Sequence, residues 1–209
     1  MSALDQGKVV PMSAARAITW GGLAAMLGGV LWVVWAIMVS LKPEGCIGSA
    51  CGSPGHSPRG YSDLAPLLFV AALLIAAGLG AVTALARATG RSGRLGRIGL
   101  IVSALGAVVL VASLLVQSVF FDGNFPLMPT FVIPGVLALG IGFLLFGVTL
   151  LRVLPHWTGV LLIIGSLALL SVNDQNERIL MAVPFGLAWI AVGYILWSGR
   201  HQGRQLLGG

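Results

Sequence analysis

Uncharged apolar runs long enough to cross a lipid bilayer recur along the entire sequence. They cover residues 18–41, 64–86, 98–121, 129–151, 157–172 and 179–197. The hydrocarbon core of a bilayer is about 30 Å thick, and about 20 helical residues span it. Because lipid offers no water to unpaired backbone groups, helices are the expected structure for these runs. The sequence therefore predicts an all-α membrane protein with six transmembrane helices.

The charged residues are too few to cover a water-soluble domain. They make up 9% of the chain, whereas soluble domains carry about 25%. We therefore expect one membrane domain, residues 18–198, with an N-terminal tail of residues 1–17 and a C-terminal tail of residues 199–209. The net charge of +6 is spread over short loops between the apolar runs. This placement indicates the lipid bilayer, and not nucleic acid, as the partner of the basic residues.

The basic residues also predict the orientation of the chain. A cytoplasmic N-terminus places nine of the 12 on the cytoplasmic side: Lys8, Arg16, Arg87, Arg91, Arg94, Arg97, Arg152, Arg200 and Arg204. The outer side then holds three: Lys42, Arg59 and Arg178. Cytoplasmic loops are enriched in Lys and Arg, so both termini are expected in the cytoplasm. We expect the protein in the cytoplasmic (inner) membrane of a bacterium.

The fifth run is short, which leaves a second topology open. Its 16 residues make about 24 Å of helix. Runs five and six could form a re-entrant hairpin, which would place the polar segment 173–178 at mid-membrane depth. A charged residue there costs about 2.5–3.5 kcal/mol, so two ordinary spans are favoured. For helix five to reach the outer interface, we expect it to extend through Asn173 and Asp174.

Glycine, proline and arginine positions suggest a helix hairpin repeated three times. The odd runs begin alike and the even runs each carry an outer proline: Pro66, Pro134 and Pro184. Small residues at four-residue spacing favour close helix packing. Two such stripes are expected to hold the bundle together or to face a sister subunit: Ala72, Ala76 and Gly80 in run two, and Gly99, Ser103 and Ala107 in run three.

The spans carry no recognisable catalytic or cofactor signature. They contain no histidine for haem, no lysine for a Schiff base, and no acidic residue for a proton relay. Nucleotide-binding, serine-hydrolase and zinc-protease motifs are absent from the sequence. We therefore expect no cofactor and favour a non-enzymatic protein.

Cys46 and Cys51 lie in the longest predicted outer loop and are the only cysteines. On the outer side, paired cysteines usually form a disulfide, which is the structure that we expect. Three alternatives stay open: a redox-active pair, zinc ligation together with His56, and free thiols. The four intervening residues do not match the Cys-x-x-Cys redox spacing.

A run of six polar residues, 173–178, forms the other candidate site. It connects runs five and six and is either a solvated turn or part of an outward-facing polar pocket for a polar or cationic ligand. The carboxylate, amide and guanidinium groups that could line such a pocket belong to Asp63, Asp122, Asn173, Asp174, Glu177 and Arg178.

Three functions remain on this evidence. The favoured one is an accessory or assembly subunit that acts through helix packing, with other membrane subunits or itself as partner. The first alternative is a small transporter or channel, with Ser103, Ser113, Gln117, Thr149 and Ser166 as a modest polar lining. The weaker alternative is an enzyme that works on the outer face.

The orientation can be tested by labelling single cysteines in a Cys-free background. A cysteine at Ser92 is expected to react with a membrane-impermeant maleimide only after cell lysis. One at Asn176 is expected to react in intact cells once the outer membrane is permeable to the reagent. Reversed labelling would contradict the orientation, and an unreactive position 176 would favour the re-entrant hairpin.

Overall fold

The computed structural model describes residues 12–46, 59–60, 62–91, 93–120 and 128–199, which form helices and their connections without a strand. Within these described residues, five helices are long and apolar enough to cross a membrane, and a sixth, His156–Leu169, is shorter and apolar. A 3-10 helix, Glu177–Ala182, leads directly into the last α-helix. The α-helices are α1 Met12–Ser40, α2 Ala65–Ala88, α3 Arg94–Phe120, α4 Met128–Val153, α5 His156–Leu169 and α6 Val183–Trp197. The chain is a multi-pass helical membrane protein.

The helices pack in the spatial order α2, α1, α6, α5, α4, α3. Each hairpin of consecutive helices is therefore joined to the next through α1 against α6 and through α4 against α5. The helices α2 and α3 lie at the two edges of this array, although only a short connection separates them in the chain. The repetition of one hairpin three times stays a prediction.

Glycines bring the helix backbones into direct contact, and α1 carries them in two adjacent pairs. A methyl group added at Gly21 or Gly28 would meet main-chain oxygens of α2, at 3.1 Å from Ala77 O and 2.9 Å from Ala71 O. One added at Gly22 would lie 3.0 Å from Gly193 O in α6. Because neighbouring helical residues point about 100° apart, each pair directs one glycine at α2 and one at α6. The helix α1 therefore lies between α2 and α6 and contacts both.

Aromatic side chains fill the space where α1, α4 and α6 meet. Phe185 of α6 lies at the centre, with its ring 4.9 Å from that of Phe143 and 5.2 Å from that of Trp32, between centroids. Trp189 meets Phe143 edge-on at 5.9 Å. Edge-to-face pairs of this kind stabilise a core beyond the area that they bury. The interior at this level is packed with rings.

The predicted spans agree with the helices in outline, but α1 begins earlier than predicted, and one of the two predicted packing stripes is exposed. The helix α1 begins at Met12, within the predicted tail, because the Ala-rich segment ahead of Ile18 consists of good helix formers. The small-residue stripe of α3 packs as expected, since a methyl group at Gly99 would lie 2.8 Å from Gly142 O of α4. The expectation that Ala72, Ala76 and Gly80 hold this bundle together was wrong, because all three are exposed.

Substitution of Gly193 by alanine tests the α1–α6 contact. The new methyl group would lie 2.5 Å from both Gly22 O and Met26 N, which are main-chain atoms that cannot rotate away. We expect a loss of about 1–3 kcal/mol in the free energy of unfolding in detergent. Gly80→Ala is the control, since nothing lies within 4 Å of the added group there. Equal stability of the two variants would contradict the packing.

Candidate functional site

The polar connection between α5 and α6 is a folded turn, not a helical extension. The helix α5 ends at Leu169, which corrects the prediction that it continues through Asn173 and Asp174. The main-chain N–H of Gln175 donates to the side-chain oxygen of Asn173 at 2.9 Å. Asparagine side chains that accept such bonds compete with the helical hydrogen-bond pattern and favour turns. The chain therefore leaves the helix before the polar segment begins.

A second asparagine starts the 3-10 helix in the same way. Asn176 is its N-cap residue, and its side-chain oxygen accepts from the main-chain N–H of Arg178 at 2.9 Å. The side chains of Glu177 and Arg178 are exposed. The segment 174–178 therefore contains the junction between a turn and a new helix, so Asp174 and Arg178 do not have the helical spacing of an i,i+4 pair.

The guanidinium group of Arg59 connects three segments at this end of the bundle. It donates from Nε to Pro43 O at 2.9 Å, and from Nη1 to Asp174 O at 3.1 Å and Asn176 O at 3.3 Å. The residue is only 6% exposed. A planar guanidinium offers five donors in a fixed fork, which suits several acceptors at once. Arg59 therefore ties the chain after α1 to the turn after α5.

Gln175 completes this connection from the other side. Its side-chain Oε1 accepts from the main-chain N–H of Arg59 at 2.6 Å, and its own carbonyl accepts from Gly45 N–H at 2.9 Å. A side chain at position 45 would overlap Gln175 Oε1, so Gly45 allows the two segments to touch. We call these contacts of Pro43, Gly45, Arg59 and residues 174–176 the Arg59 latch.

The Arg59 latch also locates the polar turn relative to α1. Pro43 and Gly45 follow directly after the end of a 29-residue helix, and both bond to the latch. The polar turn therefore lies level with the end of α1 and not at half its length. This position favours two ordinary crossings by α5 and α6 over the re-entrant hairpin.

Lys42 and Asp63 form an ion pair beside the latch. The Lys42 Nζ donates to Asp63 Oδ1 at 2.5 Å and to Gly60 O at 3.1 Å. The hydrogen bond from Lys42 lowers the pKa of Asp63 below its usual value. The pair is therefore intact at neutral pH and is lost as the pH falls through that lowered pKa. Since both groups are exposed to water, its contribution to stability is small.

The predicted site residues are only partly assembled. Asn173, Asp174, Glu177 and Arg178 lie on the polar turn, with Asn173 and Asp174 half-buried. Asp63 is engaged by Lys42, and Asp122 lies outside the described residues. Binding of a polar or cationic ligand by this set stays a prediction.

The predicted cysteine site lies largely beyond the part of the chain that the structure describes. Cys46 is buried, whereas Cys51 and His56 lie outside the described residues. The Cys46–Cys51 disulfide therefore stays a prediction. Within the described residues, no group of three or more His, Cys, Asp or Glu side chains is placed to hold a metal ion.

Two residues that organise this end of the molecule were not among the candidates. Arg59 was interpreted only as a loop cation, and Gln175 was left out of the predicted set. The contacts between them join residues 116 positions apart in the chain, and neither residue belongs to a periodic pattern. The only sequence signal was that a lone arginine lies in a loop otherwise rich in Gly, Ser and Pro.

The arrangement at this end makes connections within the chain. The hydrogen bonds of the Arg59 latch join the loop after α1 to the turn after α5. No protein-family model, curated protein or solved structure matches this chain.

Replacement of Arg59 by alanine tests the latch. It would remove the hydrogen bonds that Arg59 donates to the carbonyls of Pro43, Asp174 and Asn176, and we expect a loss of about 1–3 kcal/mol in unfolding free energy. Arg59→Lys keeps the charge but not the forked set of donors, so the stability of this variant should lie between those of the wild type and Arg59→Ala. The measurement is thermal unfolding in detergent.

Arg178→Ala is the matched control for this substitution. It also removes an arginine from the same end, but its side chain is exposed, so the melting temperature should stay close to that of the wild type. A melting temperature for Arg59→Ala equal to that of Arg178→Ala would show that the latch contributes nothing to stability.

Proposed function

We propose that the protein is a non-enzymatic accessory or assembly subunit of the bacterial cytoplasmic membrane. In this proposal it packs through α2 against a transmembrane helix of another subunit, with its arginine-rich end in the cytoplasm. The proposal rests on the exposed face of α2 described above.

The α2 face has the properties of a helix-packing surface that this chain does not use. Ala72, Ala76 and Gly80 repeat at four-residue spacing, and all three are exposed. Nothing lies within 4 Å of the position that a side chain at Gly80 would take. Small residues let a second helix approach the backbone closely, which is the main source of helix association where all partners are equally apolar. Because α2 is an edge helix, its outer face is accessible from the membrane.

The polar groups inside the spans do not favour a transporter or channel. The hydroxyls of Ser113 and Ser166 donate to the carbonyls four residues earlier in their own helices, at 2.7 Å and 2.6 Å. Thr149 does the same at 3.3 Å. These hydroxyl protons are therefore used within their own helices and do not serve as donors to a solute. Ser103 is buried in the contact between α3 and α4, and the aromatic rings occupy the space between α1, α4 and α6.

A photo-crosslinking residue at position 76 tests the proposal in native membranes. We expect irradiation to yield one discrete adduct, whose mass spectrum identifies a membrane protein other than this chain. Ala76→Leu is expected to abolish co-purification of that protein, because the added side chain prevents close approach of the helices. An adduct of this chain with itself would contradict the assembly with another subunit and indicate a homo-oligomer.

Ala104→Leu is the matched control. It makes the same change at an exposed alanine in the span of α3, away from the α2 face. Co-purification should be retained in this variant. Crosslinks to lipid alone at position 76, or equal loss of the partner in both variants, would overturn the proposal.

A further inference from the structure

The basic end of the bundle contains a cleft lined by three arginines. The cleft lies between the start of α3 and the end of α4, and its inner part has a volume of about 230 Å³. A more open outer part continues past Gly90 to His156, where α5 begins. Arg91 and Arg152 line both parts, and Arg94 lines the inner one.

The connection from α2 to α3 and the packing of α3 against α4 shape this cleft. Gly90 adopts a φ of +67°, which turns the chain sharply out of α2. Arg91 then reaches across, and its Nη1 donates to Arg152 O at the end of α4 at 3.0 Å. Deeper in the cleft, α3 and α4 touch, since a methyl group at Gly96 would lie 3.0 Å from Thr149 Oγ1. The arginines therefore line a cleft whose deep end is closed by the contact between α3 and α4.

No carboxylate among the described residues neutralises these arginines. The described acidic residues are Glu44, Asp63, Asp174 and Glu177, and all of them lie at the opposite end, in the connections after α1, before α2 and after α5. Three guanidinium groups around one cavity repel one another unless an anion lies between them. The main-chain N–H groups at the start of α3 add further donors on the same wall, since a helix start leaves its first N–H groups unpaired.

We propose that this cleft binds the phosphate of an anionic phospholipid headgroup. Guanidinium groups bind phosphate oxygens in pairs of parallel hydrogen bonds, and a phosphodiester keeps its negative charge at all physiological pH values. The apolar wall of the cleft favours a lipid as the source. Leu95, which lines the inner part, is 42% exposed, and Ile98 continues its exposed face along α3. The phosphate of the headgroup would contact the arginines, and the acyl chains of the lipid would lie along the exposed apolar face of α3.

The test compares lipid binding to the full-length protein by native mass spectrometry and by thermal unfolding. The probes are phosphatidylglycerol, phosphatidylcholine and inorganic phosphate, each added to delipidated protein in neutral detergent. We expect phosphatidylglycerol to bind and to raise the melting temperature, with little effect from phosphatidylcholine. Arg94→Gln should weaken phosphatidylglycerol binding about fivefold, and Arg94→Gln with Arg152→Gln should weaken it further.

The control removes the same kind of charge from the same end but outside the cleft. A variant with Arg16→Gln and Arg87→Gln has the net charge of the double cleft variant, and neither residue lines the cavity. It should bind phosphatidylglycerol within about twofold of the wild type. Arg91 is left unchanged in all variants because it also bonds to the backbone of α4. Arg94→Gln alone, which alters no described side-chain hydrogen bond, keeps the test valid if the double variant fails to fold.

The outcomes separate the two sources of a phosphate group. Arginine-dependent stabilisation by inorganic phosphate as strong as that by phosphatidylglycerol would support a phosphate site while assigning it to a soluble ligand. Equal weakening in the cleft and control variants would overturn the proposal, since binding would then depend only on net charge. Equal binding of phosphatidylglycerol and phosphatidylcholine would overturn it as well. Neither result bears on the α2 face, which is tested by its own crosslinks.

Discussion

The architecture depends on backbone-to-backbone contact at the glycine pairs of α1. In a membrane, an apolar side chain gains little by exchanging contacts with lipid for contacts with another helix, because both are apolar. Helix association must therefore come from close packing. The pairs at positions 21–22 and 28–29 are seven residues apart, which is close to two helical turns. Each pair therefore repeats the same two directions, one toward α2 and one toward α6. The helix α1 thus packs between α2 and α6, and α6 connects this group to α5, α4 and α3.

This mode of packing explains why the interior has little polar chemistry. Helices that touch along their backbones leave no space between them for water, and the remaining gap between α1, α4 and α6 is filled by rings around Phe185. Hydroxyl groups in such an interior must find acceptors within reach, and Ser166 and Thr83 use the carbonyls of their own helices. The charged side chains of the described residues are confined to the two ends of the bundle. Inside the spans, the polar side chains include the hydroxyls of Ser103, Ser113, Thr149 and Ser166.

The sequence allowed prediction of what depends on local composition. The helices follow from apolar length, and the packing face of α3 follows from Gly99 and Ser103. The same stripe pattern in α2 was misleading, because periodicity shows that residues share a face but not whether that face meets a neighbour. Likewise, Asn173 indicated polarity but not that its side chain would accept a hydrogen bond from Gln175 in a turn. The burial of Arg59 depends on a turn more than a hundred residues away, which no local pattern contains.

The two ends of the bundle differ in the environment of their arginine side chains. At the Arg59 latch, the guanidinium group donates to main-chain carbonyls from two loops, so these hydrogen bonds are made inside the protein. At the basic end, Arg94 and Arg152 are exposed beside a cavity, and the described carboxylates all lie at the far end. A buried donor that already has acceptors stabilises the fold, whereas exposed donors of one sign around a cavity attract an external anion. The end where the sequence predicted a site thus contains a buried arginine whose hydrogen bonds are made within the chain, and the end where it predicted contact with lipid contains exposed arginines around a cavity.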